Sequence, residues 1–193
     1  MKSVVIRKAR KAVWARVVAG IGGLLAATIS LGISIYEAGH KDDVVTVAPG
    51  TTVNAGRWNV TVDSSDITNQ TPDGMHLLDG QKALVVNLTL ENLSAQSSNI
   101  YFETLKIANI ADLPRPQFYL LRDKEMLGDL QPMIPEPISA VWQVPSTMLL
   151  PKALDISIVG TKFKPKDNLY AAPGWFDPEN VARVELPITG TMP

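Results

Sequence analysis

The sequence predicts an all-β fold, an antiparallel β-sandwich preceded by one N-terminal transmembrane helix, and three observations predict it. Apolar residues recur with a period of two along most of the chain after residue 46, which is the mark of half-buried strands. Gly, Pro and Asp-Gly signals cut those runs into short pieces, as a compact all-β domain requires. Near the N-terminus a single apolar run, Val17 to Tyr36, carries no charge. As a helix it would span roughly 30 Å, the thickness of a bilayer's hydrocarbon core.

Four regions follow in chain order. Residues 1–16 form a basic tail in which Lys2, Arg7, Lys8, Arg10, Lys11 and Arg16 precede any acidic residue. Residues 17–36 are the expected membrane helix. Because cationic flanks stay in the cytoplasm, the tail is expected inside and the rest of the chain outside, at the plasma or inner membrane. Signal peptides have shorter apolar cores and small residues before the cut, and Tyr36 is poorly placed for cleavage after Ala38. An uncleaved anchor is therefore expected, with cleavage near Gly32 or Ala38 as the alternative. Ala19, Gly23 and Ala27 form a small-residue stripe on which a second membrane helix could pack. Residues 37–46 read as a short polar linker, and residues 47–193 as one extracytoplasmic sandwich domain.

The charge balance is asymmetric. The whole chain is nearly neutral, at −1, yet residues 37–193 hold 12 Lys and Arg against 19 Asp and Glu, a net charge of −7. Such a surface argues against a nucleic-acid partner. The chain has no Cys. A domain facing an oxidising space must then rest on an ordinary hydrophobic core, and about 150 residues suffice for one.

Individual strands are legible from their alternation. Trp58, Val60 and Val62 share one face, as do Leu84, Val86, Leu88 and Leu90; Ile138, Ala140, Trp142 and Val144; Leu154, Ile156 and Ile158; and Val184, Leu186 and Ile188. A weaker strand is expected over Gln117 to Arg122. Pro137 and Pro145 bracket the strand carrying Trp142, the best candidate for the core aromatic, since proline is confined to edges, turns and strand ends. Two sheets packed face to face are the most economical arrangement of these strands.

The stretches "VAPGTTVNAGRWNVTVDSSDI", "KALVVNLTLENLS", "FYLLRDKEMLGDLQP" and "VWQVPSTM" resemble an uncharacterised bacterial extracellular immunoglobulin-like family, membrane- or lipid-anchored and sometimes labelled after a telomeric repeat-binding factor. The resemblance runs from Val47 to Gly160 and differs where a Gly commonly follows the Leu-x-Pro turn, here Leu130-Gln131-Pro132-Met133. It implies an immunoglobulin-like sandwich and a tethered binding or structural role in the cell envelope, with no catalytic residues to carry over.

The chemical inventory points the same way. His40 and His76 are the only histidines, and neither sits in a pattern that supplies a nucleophile with a base and an orienting group. No cofactor and no metal are expected; Asp63, Asp66 and Asp73 are the nearest thing to a calcium set, without EF-hand spacing. Asn59, Asn69, Asn87 and Asn92 each open a tripeptide of the N-glycosylation pattern, which in a bacterium, as the resemblance implies, is expected to be only strand and loop composition. Lys162, Lys164 and Lys166 alternate and would occupy one strand face, guarding an edge or meeting an anionic polymer. The segment Lys164 to Asn180 has prolines that argue against regular structure, yet it concentrates Tyr170, Trp175 and Phe176. It is either a lid on the sandwich or a contact for another envelope protein, and these three residues are the candidate contact. The expected role is therefore a non-enzymatic interaction or accessory domain. The alternative is a module binding carbohydrate or an anionic polymer through exposed aromatics or the lysine row, and for it a Trp should line an open groove.

Overall fold

The computed structural model describes Leu31, which is helical and exposed, and residues 44–190. The expected tail, anchor, its Ala19/Gly23/Ala27 stripe and most of the linker lie outside the described residues. Among the described residues no helix is long and apolar enough to cross a membrane.

Among the described residues ten strands form: β1 (Thr46–Val47), β2 (Thr52–Asn54), β3 (Trp58–Thr68), β4 (Gln81–Asn92), β5 (Leu105–Ile107), β6 (Gln117–Leu120), β7 (Glu125–Met126), β8 (Pro135–Pro145), β9 (Ala153–Lys164) and β10 (Gly174–Thr189). One sheet holds β5, β9, β10 and β1; the other holds β2, β3, β4, β8, β6 and β7. All pairings are antiparallel except two made by β10, with β1 and, at its last residues, with β3.

The two sheets share one interior. Val60, Val62, Leu84, Leu88 and Ile138 of one sheet and Leu154, Ile156, Ile158, Val184 and Leu186 of the other belong to a single buried cluster. This is the two-layer solution for strands with one apolar face. Trp142 lies in that cluster at 4% exposure, as its apolar alternate neighbours require. The opposite face of β4 is covered as well: Ala83 and Val85 form a second small cluster with Tyr119 and Val141, against which Leu77 of the 69–80 loop packs. Alternation alone assigned Val85 to the polar side.

A one-residue slip in β3 joins the sheets. Val62 pairs with Leu88 but Ser64 pairs with Asn87, so Asp63 is an extra residue. A bulge of this kind reverses which residues face inward. Beyond it Ser65, fully buried, donates to the Pro187 carbonyl at 2.9 Å and accepts at its own carbonyl from Thr189 Oγ1 at 2.7 Å, tying β3 to the end of β10.

One expectation needs correction. The segment from Lys164 to Asn180 is not irregular throughout, because β10 begins at Gly174 and contains Trp175, Phe176 and Pro178. Strand pairing tolerates Pro178 because Asp177, with a φ of 54°, and Pro178 sit in a bulge where the register with β9 slips by one residue. The Asn-x-Thr/Ser tripeptides, expected to be only strand and loop composition, need no correction: three of the four asparagines make hydrogen bonds within the domain. Asn92 is fully buried: its amide donates to the carbonyls of Gln96 (2.8 Å) and Leu130 (3.0 Å), and its Oδ1 accepts from the backbone and hydroxyl of Ser94. Asn87 and Asn59 bond across strands to Ser64, Ser139 and Glu91.

Replacing Trp142 by Ala should destabilise the domain by about 3–5 kcal/mol in denaturant titration, through lost burial and the cavity left behind. A loss below about 1 kcal/mol would show that the indole does not support the shared interior.

Candidate functional site

The site begins where β2 turns into β3. Asn54 Oδ1 accepts from the Gly56 amide at 2.8 Å, and Gly56 takes a φ of 79°, which an L side chain rarely adopts. A Cβ there would also lie 1.8 Å from the Thr161 carbonyl oxygen, so only glycine allows this turn to touch β9. The contact is fastened by the Thr161 amide donating to the Ala55 carbonyl at 3.0 Å. Trp175 packs over the same turn, its Cζ3 being 3.4 Å from where that Cβ would stand.

Cross-strand pairing places the other aromatics. Trp175 pairs with Phe163, and their rings meet at 5.4 Å and 61°. Phe176 pairs with Lys162 and is covered by Tyr170, stacked at 6.1 Å, with the Lys164 ammonium 5.8 Å from its centroid. The 165–173 loop that carries Tyr170 is held by Asp167, whose Oδ1 accepts from the amides of Leu169 (2.8 Å) and Tyr170 (3.1 Å). Backbone donation from Tyr170 and Leu169 holds the Asp167 carboxyl below its ordinary range.

The facing wall is set by buried polar anchors. Asn92 fixes Ser94 and Gln96. The Trp58 indole, 3% exposed, donates to the Ile100 carbonyl at 3.0 Å, and Ser98 Oγ accepts from the Ile100 amide at 3.1 Å. The Ile100 backbone is thus pinned while its side chain stays 64% exposed.

Between these walls lie two open grooves, one of about 190 Å³ and one of about 550 Å³, which share Arg57, Ile100 and Trp175. The narrower adds Glu103 and Thr104; the wider adds Phe163, Phe176 and Gln96. Arg57 sits 5.9 Å from the Trp58 ring centroid, and burial pushes its guanidinium pKa down.

Of the candidate contacts, Tyr170 is exposed while Trp175 and Phe176 are half-buried groove walls, so the pair is packed and accessible at once. Of the three tryptophans among the described residues, Trp142 is core, Trp58 lines the narrower groove at 3% exposure, and Trp175 lines both. The lysine row is not a free basic face. Lys162 pairs with Glu179 at 2.7 Å and Lys164 with Asp177 at 2.8 Å, and Lys166 lies past the end of β9. Neighbouring acids within the hairpin neutralise the two charges that alternation had set in a line.

No acid-base constellation forms around His76, whose ring meets the Gln70 amide at 2.9 Å. Among the described residues no three His, Asp or Glu converge as metal ligands, so Asp63, Asp66 and Asp73 are not brought together. The Tyr101 phenol, donating to the Leu127 carbonyl at 2.9 Å, is pushed up to about 12 by burial and by Asp129, far from any neutral-pH proton transfer. A further polar cleft of about 400 Å³ contains Asp155 and Arg183, already bonded to each other, with Glu185 and Asn109.

Arg57, Ile100 and Phe163 are site residues that sequence reasoning did not single out. Phe163 lay hidden between two lysines in a polar-looking run, and Ile100 in a segment without periodicity.

Because the folded state lowers the Asp167 pKa, its carboxylate supports the loop fully above the ordinary Asp value and loses that role as pH falls through the lowered one. The Leu169 and Tyr170 amide resonances should accordingly move only below about pH 4. In Asp167→Ala, which has no side-chain acceptor, they should be displaced already at neutral pH and show no such titration; unchanged amides in that variant would refute the cap.

Comparison with known protein families finds no match, and none of the curated proteins matches either. Among solved structures, an uncharacterised β-sandwich protein from Clostridium difficile 630 aligns with a TM-score of 0.47 and 10% identity, covering 75% of this chain and 97% of its own. At that level the likeness carries no argument, and the sandwich rests on this chain's own two packed sheets.

Proposed function

We propose that this chain is a single-pass, membrane-anchored interaction domain of a bacterial cell envelope, with an immunoglobulin-like sandwich outside and the basic tail in the cytoplasm. It acts without catalysis, as a subunit or accessory partner of a larger membrane complex. The observation that carries this reading is the open aromatic groove at Trp175, where Phe163 (53% exposed) and Ile100 (64%) leave apolar surface and Tyr170 (68%) stacks on the groove residue Phe176. Aromatic side chains beside a pocket are where binding energy concentrates. The anchor is supported by the charge-free run from Val17 to Tyr36 and the cations before it.

A second reading, a module for carbohydrate or an anionic polymer, is favoured by the same Trp175 groove. It is weakened by the ion-paired lysines and by the net charge of −7, which repels polyanions.

The combined variant Ile100→Ser, Phe163→Ser and Tyr170→Ser changes only exposed side chains. It should lower the melting temperature only modestly, through the lost Phe163–Trp175 and Tyr170–Phe176 ring contacts, while abolishing co-purification of a protein partner after gentle detergent extraction. Partner recovery undiminished in that variant would remove the groove from the interface.

Membranes washed at alkaline pH should retain the protein, and external protease should digest only the part after residue 36. A soluble chain beginning near Ile33 or Gly39 would overturn the anchor.

A further inference from the structure

We infer, building on the interaction-domain reading, that the junction of the two grooves binds an extended segment of a partner protein in which one Glu or Asp side chain, held by Arg57, lies between apolar residues.

Arg57 Nε is the only side-chain nitrogen or oxygen among the described residues that is buried without a hydrogen-bond partner. None of the ion pairs among the described residues includes Arg57, and its guanidinium lies over the Trp58 ring. The enclosed Nε is out of a ligand's reach, but a guanidinium has five donors in a planar fork, and because Arg57 lines both grooves its Nη groups remain to meet one. A carboxylate supplies two acceptors in the matching geometry and strengthens as water is excluded.

The position of Arg57 decides what kind of carboxylate. It belongs to both grooves, together with Ile100 and Trp175, and so lies where they meet. A chain terminus would occupy one groove and leave the other empty, whereas an extended segment passing through both brings an internal side chain to the junction. Glu103 lines the narrower groove and disfavours a second acid there. One central carboxylate with neutral neighbours is the complementary pattern, and the acidic charge of the whole domain disfavours anything more negative.

Phe163 and Trp175 meet edge to face at 61°, so apolar ring surface lies beside the junction for the residues that flank the acid.

The test uses the full chain in detergent micelles and an array of end-capped nonapeptides with varied apolar residues on either side of a central Glu, alongside matched sets with central Gln or Lys. Glu-centred peptides should bind at least tenfold more tightly than their Gln counterparts. Arg57→Gln should erase that preference, Arg57→Lys should restore part of it, and Ile100→Ser should weaken all peptides. Equal binding of the Glu and Gln sets by the unaltered protein, a comparison independent of any variant's folding, would overturn the role of Arg57 while leaving a peptide-binding groove. Binding only to peptides with a free C-terminal carboxylate would overturn the internal acid. Selective binding of glucan or uronate oligosaccharides, with no peptide bound, would overturn both this inference and the protein-partner reading.

Discussion

The register between β9 and β10 is the constraint on which the rest depends. From Gly174 to Phe176 the pairs keep one register, after the Asp177-Pro178 bulge they keep a second, and after Val181 a third. Each slip adds one residue to β10 and exchanges its inward and outward faces. The two slips together move the register by two residues and so restore the original alternation: Ala182, Val184 and Leu186 pair with Ile158, Ile156 and Leu154 on the inward face, while Trp175 pairs with Phe163 nearer the start of the strand. One strand therefore does two jobs, closing the interior with its second half and building the aromatic groove with its first.

Rigidity at that end comes from buried polar groups whose bonds are nearly all made. Asn92 gathers the ends of three segments, Trp58 holds the Ile100 carbonyl, and the Ala55–Thr161 backbone bond locks a turn of one sheet onto a strand of the other. In a chain without disulfides these contacts, not covalent links, keep exposed apolar side chains at fixed positions. A groove so supported is pre-organised, which lowers the entropy that a ligand must offset. Arg57 is the exception to the pattern of satisfied groups, and such exceptions collect where a protein meets something else.

Most of the sandwich was legible in the sequence. The alternating runs around Val60, Val86, Ala140, Ile156 and Leu186 are strands with the expected faces inward, and Trp142 is core, because burial on one side of a pleated strand writes itself directly into a two-residue period. The short strands β1, β2, β5 and β7 were not legible: two or three residues cannot display a period, and their pairing is settled by partners distant in the chain. The same holds for Pro178, where proline's local preference gave way to a bulge that depends on β9.

The candidate site divides along the same line. Sequence by itself determined that the protein has an asymmetric charge distribution, an N-terminal apolar run of membrane length, a disulfide-free all-β domain, and an aromatic concentration around Tyr170, Trp175 and Phe176. Only the tertiary structure decided that Lys162 and Lys164 are neutralised by acids 13 to 17 residues away, and that Arg57, Ile100 and Phe163 from three separate segments converge beside Trp175. The physical reason is that alternation and composition are local properties of the chain. An ion pair across a hairpin, or a groove between a turn, a loop and a strand, exists only once the sheets have packed and the register of β10 has been chosen.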